Sequence, residues 1–267
     1  MSAVSPPHSL LEYLLPRRIV SLSPARQRPG FVSLGLPSRR TALGDSFTLI
    51  ACLEETVDMQ AVYAELRAQA LVGSVTVLTD LGWIWLNGTY WRGDPHLARR
   101  LLRMAGLQGD ATAWFNLARQ HHVGQGVTRC HAEAARCYEN AFERGLVQAA
   151  AALGDLFQQG WPSTPPRPGD PSLACHWFLQ GAQRGEARCR FELGRRLLYG
   201  VQVEPDVRAG LYWLELAAAG GVVQAAEALA VYFAHGHETP YRHWRDHAIG
   251  LGSHLALGMK LKDQVRC

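Results

Sequence analysis

At 267 residues, with 48% hydrophobic and 19% charged side chains, the chain has the make-up of a folded globular protein, not of a disordered or coiled-coil one. It contains no run of 18 or more apolar residues, so no membrane-spanning helix is expected. The formal charge of +4 does not point to nucleic acid: residues 1–44 hold six arginines (Arg17, Arg18, Arg26, Arg28, Arg39, Arg40) against Glu12, a balance of +5, and the rest of the chain sums to −1.

Residues 1–44 are rich in Pro, Ser and Arg and show neither helical nor strand periodicity, so residues 1–57 are expected to form a largely disordered extension. Three readings of it stand: an Arg-rich, acid-poor targeting segment, a functional basic tail, or an upstream extension with Met59 as the natural start of the folded part. The short Leu10–Leu15 stretch lacks a preceding positive region, which argues against a secretory signal and for a cytoplasmic location. The usage of arginine over lysine suggests a bacterial source. Across Asp58–Val72, Val62, Leu66, Ala70 and Leu71 recur at helical spacing, and residues 58–76 are expected to be a capping helix and turn.

From residue 77 the chain aligns on itself. Leucine recurs at Leu81, Leu117, Leu153, Leu193 and Leu229, each followed by a small residue (Gly82, Ala118, Gly154, Gly194, Ala230). In the same register come Gly88, Gly124, Gly160, Gly200 and Gly236, then Asp94, Cys130, Asp170 and Asp206, then the large positions Leu101, Cys137, Trp177 and Trp213. A last glycine (Gly109, Gly145, Gly185, Gly221) closes each unit. The steps are 36, 36, 40 and 36 residues, the long one coinciding with the Pro-rich insert Trp161–Pro168. Each unit is therefore two amphipathic helices parted by glycine, which ends helices by entering left-handed conformations. The aspartates are placed to cap the second helix, with Pro95 and Pro171 at its first position. The small residues let two helix backbones approach closely, and Trp177 and Trp213 are expected to fill the groove between neighbouring helix pairs. One such hairpin cannot bury its apolar face alone, so the hairpins must stack.

This pattern, seen at Leu153-Gly154, Gly160, Asp170, Ala174, Trp177-Phe178, Ala182 and Gly185, resembles the Sel-one-like repeat (SLR) family, a relative of the tetratricopeptide repeats. Gly124-Gln125-Gly126-Val127 carries a further piece of the family pattern; Leu101-Leu102, in place of an aromatic pair, departs from it. The resemblance covers about Val77–Gly221. It implies an all-α, right-handed α/α superhelical solenoid of stacked hairpins, with four repeats and the first helix of a fifth over residues 77–236. Residues 237–267 are left as a capping helix and tail.

The chemistry-bearing candidates are few. His235, His237, His243 and His247 cluster near the last turn, and His243 and His247 share a helical face at a spacing used by zinc-binding helices. The glutamate of a metalloprotease motif is missing, so the cluster reads as a His-rich helical cap ahead of any metal or hydrolytic site. Gly124-x-Gly126 and Gly250-x-Gly252 lack the lysine and third glycine of phosphate loops and read as helix-ending turns. Cys130 and Cys137 stand about 10 Å apart along one helix, too far for a disulfide. No CxxC pair is present, and the six cysteines read as reduced thiols. No catalytic set, cofactor or metal is expected.

The first helix of each unit is expected to line the concave side. Its positions just before and two after the framework leucine leave Asp80, Trp83, Asn116, Arg119, Asp155, Glu192 and Arg195 as candidates for partner contact, with Ala152, Ala228 and Val231 in the same register. Aromatic and arginine side chains of this kind dominate protein-binding surfaces. Members of the family implied by the resemblance are adaptors and scaffolds, so a non-enzymatic repeat protein that binds a protein or peptide is expected. The alternative is a peptidoglycan- or glycan-binding repeat protein, and export would discriminate between the two.

Overall fold

Apolar residues at helical spacing, separated by glycine, leave this chain little choice but paired helices. The structure, a computed structural model, describes residues 8–20, 59–160, 168–234 and 237–266. Among these residues it is all-α, with thirteen helices and no sheet. The chain divides into two compact units, Met1–Leu146 and Val147–Cys267.

The first unit holds α1 (His8–Leu14), α2 (Met59–Leu71), α3 (Val75–Asn87), α4 (Pro95–Leu107), α5 (Ala111–Val123) and α6 (His131–Glu143). The second holds α7 (Ala149–Gln159), α8 (Pro171–Gln183), α9 (Ala187–Tyr199), α10 (Val207–Ala219), α11 (Val223–Phe233), α12 (Glu238–Gly250) and α13 (His254–Arg266). The hairpins α3–α4 and α5–α6 stack in the first unit; α7–α8, α9–α10 and α11–α12 stack in the second.

The helix ends are built as the residue types dictate. Asp94 accepts from the backbone N–H groups of His96 and Leu97, Asp170 from Leu173 and Asp206 from Ala209, all near 3.0 Å. Cys130 takes the same place before α6 without a side-chain cap bond. The turn between hairpins recurs as one conformation: at Gly109, φ is 99° and the following amide, Asp110 N–H, bonds back to the Ala105 carbonyl. The same turn stands before α3, at Gly73, and before α13, at Gly252. Ala256, four residues beyond Gly252, is fully buried, as Ala225 is beyond Gly221. The repeat's turn geometry thus runs on into both terminal segments, although their side chains leave the sequence pattern.

Within each hairpin, the space against the small position of the first helix is filled by the residue directly after the large repeat position. A Cβ placed on Gly154 would meet the ring of Phe178, and one on Gly194 would meet Leu214; Gly82 stands in the same relation to Leu102. Phe178 and Leu214 are fully buried, while Trp177 and Trp213 are half-buried. Neighbouring residues on a helix differ by about 100°, so only one of an aromatic pair can point into the seam.

One correction concerns residues 8–20, which fall in the stretch expected to be largely disordered. They form α1 and a docked tail, with Leu11 and Leu15 buried at 1% exposure. Beside them Tyr63, Trp85 and Trp91 pack edge to face, with ring centroids 5.4–6.1 Å apart. The Pro-rich insert, Trp161 included, and His235 lie outside the described residues.

Candidate partner-binding surface

Within each unit, first helices touch one another: α3 meets α5, α7 meets α9, and α9 meets α11. Contacts between successive second helices are weaker, which puts the first helices on the tighter side of each stack. The sequence candidates lie on these helices. In the first unit Asp80, Trp83 and Arg119 are half-buried, whereas Asn116 is buried at 2% exposure and offers little side chain to a partner. Asp110, which caps α5, ties the two first helices together: it accepts from Thr112 N–H (2.7 Å) and, through its other oxygen, from the Thr79 hydroxyl (2.8 Å) of α3.

In the second unit three candidates, Asp155, Glu192 and Arg195, belong to one polar array across α7 and α9. Arg188 Nη2 of α9 bonds Asp155 Oδ2 of α7 at 2.6 Å. One oxygen of Glu192 accepts from both Arg195 Nη2 (3.2 Å) and Arg196 Nη1 (2.6 Å). The guanidinium of Arg196 also donates to the Gln158 side chain of α7 and lies 4.3 Å over the Phe178 ring. Arg196 is 1% exposed. Sequence reasoning missed Arg196, Gln158 and Arg188; for Arg196 the only signal is a buried-face register occupied by arginine.

The two carboxylates respond in opposite directions. Burial raises Asp155 above the usual carboxylate range, and the opposing pull of Arg188 does not cancel it. Burial also pushes Glu192 up, but hydrogen bonds from Arg196 and Arg195 outweigh it and hold the group below its usual range. The array is thus already ordered on one side, with Arg188 and Arg195 still reachable from solvent at side-chain exposures of 56% and 35%.

The other candidates gain no chemistry from the fold. The rings of His243 and His247 stack at 6.4 Å, and His247 Nε2 lies 3.3 Å from the Ala218 carbonyl oxygen, an α10–α12 contact inside the stack. No group of three or more metal-ligating side chains converges among the described residues. Gly124 is the left-handed cap of α5, with φ 82°. None of the helices built from described residues is long and apolar enough to cross a membrane.

A family model described as Sel1 repeat matches residues 77–110, 112–146, 147–186 and 187–222, one hairpin each. An exopolysaccharide production negative regulator of Rhizobium meliloti is 29% identical over 143 residues, covering 49% of this chain and 53% of that protein. The chain spans about half or less of the length of the curated relatives it matches. A solved Sel1 repeat protein from Oxalobacter formigenes superposes with a TM-score of 0.59 at 27% identity, covering 72% of this chain and 78% of that one. A protective antigen of uropathogenic Escherichia coli strains, displaying an SLR fold, superposes with a TM-score of 0.58 at 19% identity, covering 73% and 42%, and shares the fold.

Proposed function

The chain belongs to the Sel1 repeat family, and from that premise we propose that it is a non-enzymatic scaffold holding a protein or peptide partner on its first helices. The observation that carries this reading is the array on α7 and α9. Asp155, Arg188, Glu192 and Arg195 are cross-linked to one another or to a buried arginine, yet remain partly open. Side chains held in place before binding lose less entropy when a partner arrives. In the first unit Asp80, Trp83 and Arg119 would serve the same purpose, Trp83 as the aromatic anchor.

A photo-crosslinking residue at position 195, on a first helix, is compared with one at position 212, where Tyr212 is exposed on the second helix α10. Crosslinking in the native host should trap a partner from position 195 and not from 212, and Arg195→Glu should abolish its recovery by the otherwise unaltered chain. Trapping from position 212 alone would remove the first-helix surface from consideration.

A further inference from the structure

The geometry points to a second interaction site, at the N-terminal end of the first unit, and we propose that it joins two copies of this chain by exchange of residues 8–20. In the structure the site is filled by the chain's own segment, and the manner of its filling is that of a bound peptide.

Two leucines four residues apart, Leu11 and Leu15, anchor the segment and are each 1% exposed. Past Leu15 the helix has ended and the backbone runs on through Pro16, read by side chains of α2. Tyr63 donates its hydroxyl to the Pro16 carbonyl (2.7 Å). Arg67 donates to the carbonyls of Leu15 (3.2 Å) and Glu12 (3.3 Å). Gln60 makes a two-point contact, accepting from Ile19 N–H (3.0 Å) and donating to the Arg17 carbonyl (3.1 Å). From the α3–α4 turn, Arg92 N–H donates to the Val20 carbonyl (2.9 Å).

In each of these bonds the segment offers backbone and the body offers a side chain or an amide. Tyr13 is 88% exposed, and Arg17 and Arg18 are exposed. The site therefore recognises a main-chain path with a Leu-x3-Leu-Pro pattern, the form in which folded domains take short peptides. The fit is incomplete: an open cleft of about 430 Å³ remains between Tyr13, Leu14 and Pro16 of the segment and Trp85, Leu97 and Arg100 of the body. The indole N–H of Trp85, itself 6% exposed, is buried without an acceptor among the described residues.

Covalent geometry makes exchange feasible. Residues 21–58 connect the segment to α2, and a chain of that length spans at most about 130 Å, so the segment can reach the same site on a second copy. Swapping an identical element between copies creates no contact that the single chain lacks and is a low-cost route to a dimer. The occupant in trans is the Leu11–Val20 stretch of the second copy, held by Gln60, Tyr63 and Arg67 of the first.

The test uses the full chain. After incubation that allows exchange, sedimentation from micromolar to about 1 mM protein should show a dimer fraction that grows with concentration. A synthetic peptide of residues 8–20, added in excess, should at least halve that fraction, because it competes for the site that joins the copies. Leu11→Asp with Leu15→Asp should abolish the dimer; should that variant unfold, the peptide competition on the unaltered chain still decides. A chain that stays monomeric throughout the range, or a dimer that the peptide does not dissolve, overturns the proposal.

Discussion

The ring of Phe178 on α8 lies directly against the backbone of Gly154 on α7, so that a Cβ on Gly154 would fall 2.5 Å from two ring carbons. The ring is fully buried and Arg196 lies over it, so it has little room to retreat. Gly154→Ala should therefore lower stability by about 1–3 kcal/mol through overpacking. This outweighs the roughly 1 kcal/mol that alanine gains over glycine in a helix, and Gly154→Leu should lower stability further. Phe178→Leu in the Gly154→Ala background should recover part of the loss, since leucine already serves against glycine at Leu102 and Gly82. Urea melts of the three variants check the order; an undiminished Gly154→Ala midpoint would mean that the seam is not tight.

Asp110 combines a helix cap with a bond between neighbouring first helices, and both of its oxygens are engaged. Asp110→Ala should lose the cap, at about 1 kcal/mol, and leave the buried Thr79 hydroxyl without that acceptor, at about 1 kcal/mol more. Thr79→Val keeps the cap and should lose only the second part, roughly half of the total. Equal losses for the two variants in urea denaturation would contradict a shared role.

Much of this was legible in the sequence, for a reason visible at particular positions. Gly109, Asp94 and Leu153 occupy places where one residue type satisfies one local requirement, so repetition exposes them. Trp177 against Phe178 was not legible, because which of two adjacent aromatics enters the seam depends on a rotation that a pattern of residue types does not fix. Residues 8–20 were illegible for a different reason. They are held by Gln60, Tyr63 and Arg67 across 41 to 55 positions of sequence, through backbone atoms that every residue shares. Of the surface candidates, Asp155, Glu192 and Arg195 lie on neighbouring helices, but Arg196, which holds Glu192, sits at a buried place where arginine is unexpected.

Glu192 and Asp155 should give opposite pH signatures. Glu192 is held below its ordinary value of 4.5 by Arg196 and Arg195 against the upward push of burial, so the folded state binds fewer protons there than the unfolded chain. Its contribution is complete above about pH 4.5 and fades as the pH falls through the depressed value. Asp155 is raised above its ordinary 3.8 chiefly by burial, so its contribution is present below that pH and is lost as the pH rises through the raised value. Glu192→Gln should thus cost about 2–3 kcal/mol at pH 7, leaving the buried Arg196 without a carboxylate, and should flatten the acid limb of the stability curve. Asp155→Asn should stay within about 0.5 kcal/mol at pH 7, since Arg188, its partner in the bond, is 56% exposed. Denaturation curves between pH 3 and 7 separate the two; parallel losses would show that the carboxylates do not differ as the structure places them.

The buried thiols offer a readout of packing that needs no partner. Burial pushes the Cys137 thiol up to about 11, and Cys189 is raised further by burial and by the neighbouring Glu186 carboxylate. Both side chains are nearly inaccessible, at 3% and 0% exposure, and neither is in a disulfide. Because the thiolate is the reactive form, iodoacetamide at pH 8 should leave both unmodified in the folded chain, while the half-buried Cys130 is alkylated at least tenfold faster. Addition of urea should bring all three to one rate, and the labelling of Cys189 should track the unfolding of its own hairpin. Peptide mapping by mass spectrometry resolves each site. Native-state labelling of Cys189 at the rate of Cys130 would mean that the α8–α9 seam, where Gly181 presses on Cys189, opens far more readily than its packing indicates.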